Sequence, residues 1–147
     1  MRTFKKILVP MDFEPASRAA RDHAVALARR FDADIVILHA FDVPVILSPG
    51  APLVPMVDVT ADLEKAGQQW LDGVVDEARR TYPRVTGRLR QGLPWHEILS
   101  VAAEEDADLI VMETHGRKGI AHAFLGSVAE KVVRTSPVPV MTIRAAP

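Results

Sequence analysis

The chain has 147 residues, with 18 Lys and Arg against 19 Asp and Glu for a formal net charge of −1. That balance lacks the basic excess of a dedicated nucleic-acid binder, and 48% hydrophobic with 25% charged residues is globular rather than disordered composition. The absence of cysteine excludes disulfides, thiolate metal sites and cysteine nucleophiles. The length predicts one domain over residues 1–147. No run approaches the ~18 apolar residues of a membrane span. The basic start, Met1 to Lys6, leads into an apolar run that stops at Pro10, too short for a signal peptide. The expectation is a soluble cytoplasmic protein without a nucleic-acid or membrane partner.

Taken in chain order, short apolar runs alternate with helical patterns. Ile7-Leu8-Val9-Pro10 is unbroken, as suits a strand covered on both faces. From 15 to 31, Ala20, Ala24, Leu27 and Phe31 recur at helical spacing, with Pro15 fitting the first turn. Ile35-Val36-Ile37-Leu38 is a second buried strand. Residues 43–56 hold Pro44, Pro49, Pro52 and Pro55, a stretch longer than the ~4–6 residues of an ordinary connection. It reads either as a surface excursion or as a lid or interface arm. Leu63, Ala66, Trp70, Val74 and Ala78 predict a helix over 58–81. Residues 85–90 alternate and predict a half-exposed strand. Pro94 opens a third helix carrying Trp95, Ile98, Leu99 and Ala102, with both tryptophans expected in the core. Leu109-Ile110-Val111-Met112 is a fourth strand, Ser127 to Thr135 a fourth helix, and 138–143 a fifth strand. Strands alternating with helices predict an open parallel α/β sheet with helices on both faces. Any ligand then binds beyond the carboxyl ends of the strands, where the winding reverses.

The residues able to carry chemistry lie in the loops at that end. After the fourth strand come Glu113-Thr114-His115-Gly116-Arg117-Lys118-Gly119, then Gly126-Ser127-Val128 at a helix start. Glycines permit tight turns and close backbone approach. Free amides and the helix dipole at such a start attract an anion, and Arg117 and Lys118 add charge. Ser127 with Glu130 is equally a capping box, in which the helix satisfies its own amides. Neither a Walker A sequence nor GxGxxG is present. After the first strand, Pro10, Met11 and Asp12 precede a helix. Asp12 serves either as a local cap or as an acceptor for a ligand's polar edge. After the second strand, Ala40 leaves room for a flat ring, and His39 reads as a hydrogen-bonded histidine near the sheet end. His115 could touch a phosphate. No nucleophile elbow and no closed set of metal ligands is visible, so no catalytic or metal-ligating residue is assigned.

Over essentially its whole length the chain resembles the universal stress protein family. The carrying residues are Lys6-Ile7-Leu8-Val9-Pro10-Met11-Asp12, Leu38-His39-Ala40, Gly92-Leu93-Pro94 and Ala107-Asp108-Leu109-Ile110-Val111-Met112. More specific are Thr114 to Gly119, Leu125 to Val132, and Ser136-Pro137-Val138-Pro139-Val140. The resemblance implies a Rossmann-like sheet of strand order 3-2-1-4-5. It implies adenine-nucleotide binding, ATP with Mg²⁺, through Pro10, Asp12, Ala40, Gly116, Arg117, Gly119, Gly126, Ser127 and Val128. Glu113 stands where the family pattern has its first glycine. A carboxylate about 4 Å from a phosphate charge repels it by roughly 4 kcal/mol at an effective dielectric near 20. Glu113 therefore points away, is offset by Mg²⁺, Arg117 and Lys118, accepts bonds from ribose hydroxyls, or abolishes triphosphate binding. The resemblance also implies a homodimer through the last strand, from Val138 to Arg144, with Pro139 tolerated because an edge strand can spare an N–H. The expected function is nucleotide-dependent sensing or regulation of the stress response, with little or no turnover. The alternatives are a nucleotide-free interaction scaffold and a slow ATP hydrolase.

Overall fold

A computed structural model describes residues 3–14, 17–43, 49–50, 57–114 and 126–144, without the side chains of 57 and 58. Five strands, β1 (Lys6–Pro10), β2 (Asp34–Phe41), β3 (Val85–Gln91), β4 (Leu109–Thr114) and β5 (Val140–Arg144), alternate with four helices. The helices are α1 (Ser17–Phe31), α2 (Val57–Arg79), α3 (Pro94–Glu104) and α4 (Ser127–Thr135). All pairings are parallel, in the order β3-β2-β1-β4-β5. The chain winds outward from β1 through β2 to β3, then returns to β1's other side for β4 and β5. The reversal lies between β1 and β4.

Side-chain alternation along each strand builds two cores. Ile7, Val9, Ile35, Ile37, Leu109 and Val111 face α1 and α2, meeting Ala20, Ala24, Leu71 and Val74. Leu8, Val36, Leu38, Ile110 and Met112 face α3 and α4, meeting Ile98, Val101, Ala129 and Val132. Each Ile, Leu or Val wholly removed from water contributes about 1.5–3 kcal/mol, which is why β1 and β4 carry unbroken apolar runs. The half-exposed strand read at 85–90 is the sheet edge β3. Its side toward α3 presents the partly buried Arg88 and Arg90, which pair with Glu97, Glu104 and Glu105 of the α3 region.

Two sequence readings need correction. Trp70 and Trp95 are only partly buried and pack at the margins of the two cores. Trp95 holds the Lys131 ammonium 5.0 Å above its ring, so each indole bridges core and surface. Strand β5 begins after Pro139, whose carbonyl accepts from Ile110 N at 3.0 Å. The proline thus needs no donor and leads into the strand. Of the proline-rich stretch, only Val43 and Pro49-Gly50 are described.

Candidate functional site

The first loop of the site follows β1. Met11 N donates to Leu38 O at 2.8 Å, which carries β1's pairing with β2 one residue further. Asp12 Oδ1 then accepts from Glu14 N at 3.0 Å. Ser17 Oγ, at the start of α1, lies 3.0 Å from Asp12 O and 2.9 Å from Glu14 O, and its single proton is shared between the two carbonyls. Asp12 is therefore held by a short Asx turn backed by a buried serine.

The second loop follows β3. Gly92 has φ +152°, and a Cβ there would meet Glu97 Oε1 at 2.6 Å. Its N–H donates to Phe41 O at 2.8 Å. This turn brings Pro94 to the first position of α3, where the missing N–H costs nothing.

The third part is the start of α4. Its N-cap is Gly126, and among the described residues no side chain caps it. The first intrahelical bond runs from Glu130 N to Gly126 O at 2.9 Å. Ser127 is thus one residue too late to close the capping box read from the sequence. Glu130 turns instead to Arg134, one helical turn on. The amides of residues 127–129 have no partner within the helix, and they form the positive end of its dipole.

These parts surround one cavity of about 330 Å³, near the lower end of the roughly 300–1,000 Å³ of small-molecule sites. Pro10, Asp12, Ala40, Gly126, Ser127 and Val128, all named from the sequence, line it together with Glu113. His115, Gly116, Arg117, Lys118 and Gly119 lie outside the described residues. Sequence reasoning missed Met11, Ser17, Leu38, Pro94, Ile98, Met112 and Ala129. Most are apolar, and they read as core positions until the sheet end shows them facing a hollow. Pro94 and Ser17, each opening a helix at this end of the sheet, were the findable ones.

Glu113 is 4% exposed. In β4, Val111 faces α1 and α2 while Met112 faces α3 and α4. Alternation gives Glu113 the face of Val111, on the opposite side of the strand from α4. The cavity reaches it because it spans the sheet end, touching Met11 and Ser17 on the α1 side as well. Among the described residues no three His, Asp or Glu side chains converge as a metal site. No described helix is long and apolar enough to cross a membrane.

The cavity therefore offers an apolar wall, an acidic residue at one lip and uncapped helix amides at the other. The sequence description of the universal stress protein family matches residues 3–144. A universal stress protein of Methanocaldococcus jannaschii is 33% identical over 142 residues, covering 96% of this chain and 82% of that one. The structure of universal stress protein UspA from Lactobacillus plantarum superposes with a TM-score of 0.81 at 27% identity, covering 98% of this chain and 100% of that one. A universal stress protein in complex with cAMP shares the fold, with a TM-score of 0.71 at 24% identity, covering 99% and 100%.

Proposed function

We propose that this chain, which belongs to the universal stress protein family, holds an adenine nucleotide, with ATP and Mg²⁺ as the leading pair, in the cleft beyond β1 and β4. The observation that carries the reading is the start of α4, capped by no side chain among the described residues, which opens into the same cavity as Asp12 and Ala40. A helix end without a cap leaves donors that an anion satisfies. Ala40, Leu38 and Ile98 supply an apolar wall of the kind an adenine ring fills, and Asp12 would accept from a ribose hydroxyl. The nucleotide phosphates would lie on the amides of residues 127–129 and the Ser127 hydroxyl. Mg²⁺ keeps most of its waters and is held largely by phosphate oxygens plus one or two carboxylates, so Asp12 suffices as a protein contribution.

Bound nucleotide neutralises the helix end and bridges β1, β2 and α4, favouring one arrangement of the loops. This is regulation by occupancy, with little or no turnover, in a cytoplasmic homodimer paired through the edge strand that ends at Arg144. The burial of Glu113 against the cavity favours a second reading, a nucleotide-free interaction scaffold of the same fold. Its face on β4, away from α4, weighs for the first.

The test is to denature freshly purified protein and assay the supernatant for adenine nucleotides, followed by calorimetry of emptied protein with MgATP and with cAMP. A relative solved with cAMP makes that the natural second probe. Stoichiometric nucleotide, or saturable binding of either probe, is the expected result. Silence in both assays leaves the scaffold, and ADP accumulating over time means hydrolysis.

A further inference from the structure

We propose that His39 is a positioning residue for this site, fixing the β1–α1 loop from the far face of the sheet. The inference rests on the nucleotide reading above. His39 is 3% exposed and follows Leu38 and precedes Ala40, both of which line the cavity. Alternation turns its ring away from them, toward α2. There its Nδ1 lies 3.0 Å from the carbonyl of Met11. A carbonyl only accepts, so Nδ1 carries the proton and donates. Met11 is the residue before Asp12, and its own N–H is held by Leu38 O. The loop that presents Asp12 is thus pinned on both sides of one residue, by β2 backbone and by the β2 side chain.

A second contact secures the next residue. Phe13, directly after Asp12, is 56% exposed yet sits edge-on to His39 with ring centroids 4.7 Å apart. It also meets Trp70 of α2 at 5.0 Å, and His39 and Trp70 meet at 5.0 Å. Edge-to-face rings at these distances attract beyond their area. Gly67 of α2 closes the cluster: a Cβ there would come within 3.3 Å of His39 Cδ2.

Packing alone does not account for histidine here. Nε2 is buried and has no hydrogen-bond partner among the described residues, a cost that leucine of similar size avoids. What histidine adds is the bond to Met11. Asp12 and Ala40 are then set relative to each other by their immediate neighbours, and the aromatic trio ties that setting to α2.

The test compares His39→Leu, which keeps bulk and loses the donor, with His39→Asn, whose side-chain amide can reach the same carbonyl. Two readouts are used. In nucleotide-free protein, amide exchange at Glu14 and Ser17 should rise roughly tenfold in the leucine variant and stay near wild type in the asparagine variant. MgATP affinity should fall by the same roughly tenfold factor, the worth of one hydrogen bond, and be restored by asparagine. The leucine variant should melt within about 3 °C of wild type, since it removes an unpaired acceptor as well as a bond. Unchanged exchange and affinity in the leucine variant, or equal impairment in both, overturns the proposal. Should the leucine variant not fold, Phe13→Ala, at an exposed position, carries the same readouts. If wild type binds no nucleotide the earlier reading fails alone, and the exchange comparison still decides whether His39 holds the loop.

Discussion

Single atoms decide how the α4 end behaves. With Gly126 as N-cap, Ser127 occupies the first helical position and is exposed. Its hydroxyl is then dispensable to the helix. Ser127→Ala should change unfolding free energy by less than about 0.5 kcal/mol, measured by urea titration, while weakening MgATP roughly tenfold. A stability loss of about 1 kcal/mol instead, the usual worth of an N-cap, would mean the serine caps after all. Glu113→Gly separates the two functional readings at the same scale. On the opposite face of β4 from α4, the carboxylate should cost the triphosphate little, so calorimetry should give an affinity within about threefold of wild type. Tightening of tenfold or more, about 1.4 kcal/mol, would show that the carboxylate opposes the phosphates, and the full repulsion of roughly 4 kcal/mol would appear as about a thousandfold.

Helix pairs and strand edges carry a different kind of prediction. Arg21 of α1 is 7% exposed and reaches Glu77 of α2 at 3.1 Å and its neighbour Asp22 at 3.1 Å. The Arg21 guanidinium ion-paired beside it holds the Glu77 carboxyl below its ordinary value. A carboxylate lowered on folding contributes stability above the unfolded-state pKa and loses it as pH falls through the folded-state value. Glu77→Gln should therefore be less stable than wild type at neutral pH, and the two should converge in acid. Paired urea titrations check this, and a gap that persists in acid would show that packing, not charge, links α1 to α2. The same logic holds on the other face, where Arg90, then Arg88, lower Glu104 and so favour the contact of α3 with edge strand β3 above the carboxylate range.

At the scale of the whole molecule, β5 stands at the edge of the described sheet. Among the described residues β5 pairs only with β4, and Met141 on it is 36% exposed. An unpaired apolar edge invites a second strand, and two-fold pairing of identical chains is the commonest closed solution. The proposed homodimer predicts that Met141→Lys shifts wild-type dimer to monomer in sedimentation velocity at equal loading. A wild-type chain that sediments as a monomer removes the dimer from the proposal, while the cleft, built within one chain, is untouched.

Much of this architecture was legible beforehand. Unbroken apolar runs at β1, β2 and β4 mark strands buried on both faces, and the helical spacing in α1 to α4 marks what covers them. Both are local periodicities, set by backbone geometry alone. Pro94 and Gly126-Ser127 mark helix starts for equally local reasons. The strand order came from likeness to a family, because periodicity says which residues are buried and not which strand lies beside which. Folding in three dimensions decided the rest. Whether Gly126 or Ser127 caps α4 is a shift of one residue in the chain's path. The face of Glu113 depends on the register of β4, and the partners of His39, Trp70 and Trp95 on which helix lies over which strand end. Those outcomes rest on contacts between residues far apart in sequence, for example the 28 positions separating Met11 from His39, and no nearby pattern of side chains encodes them.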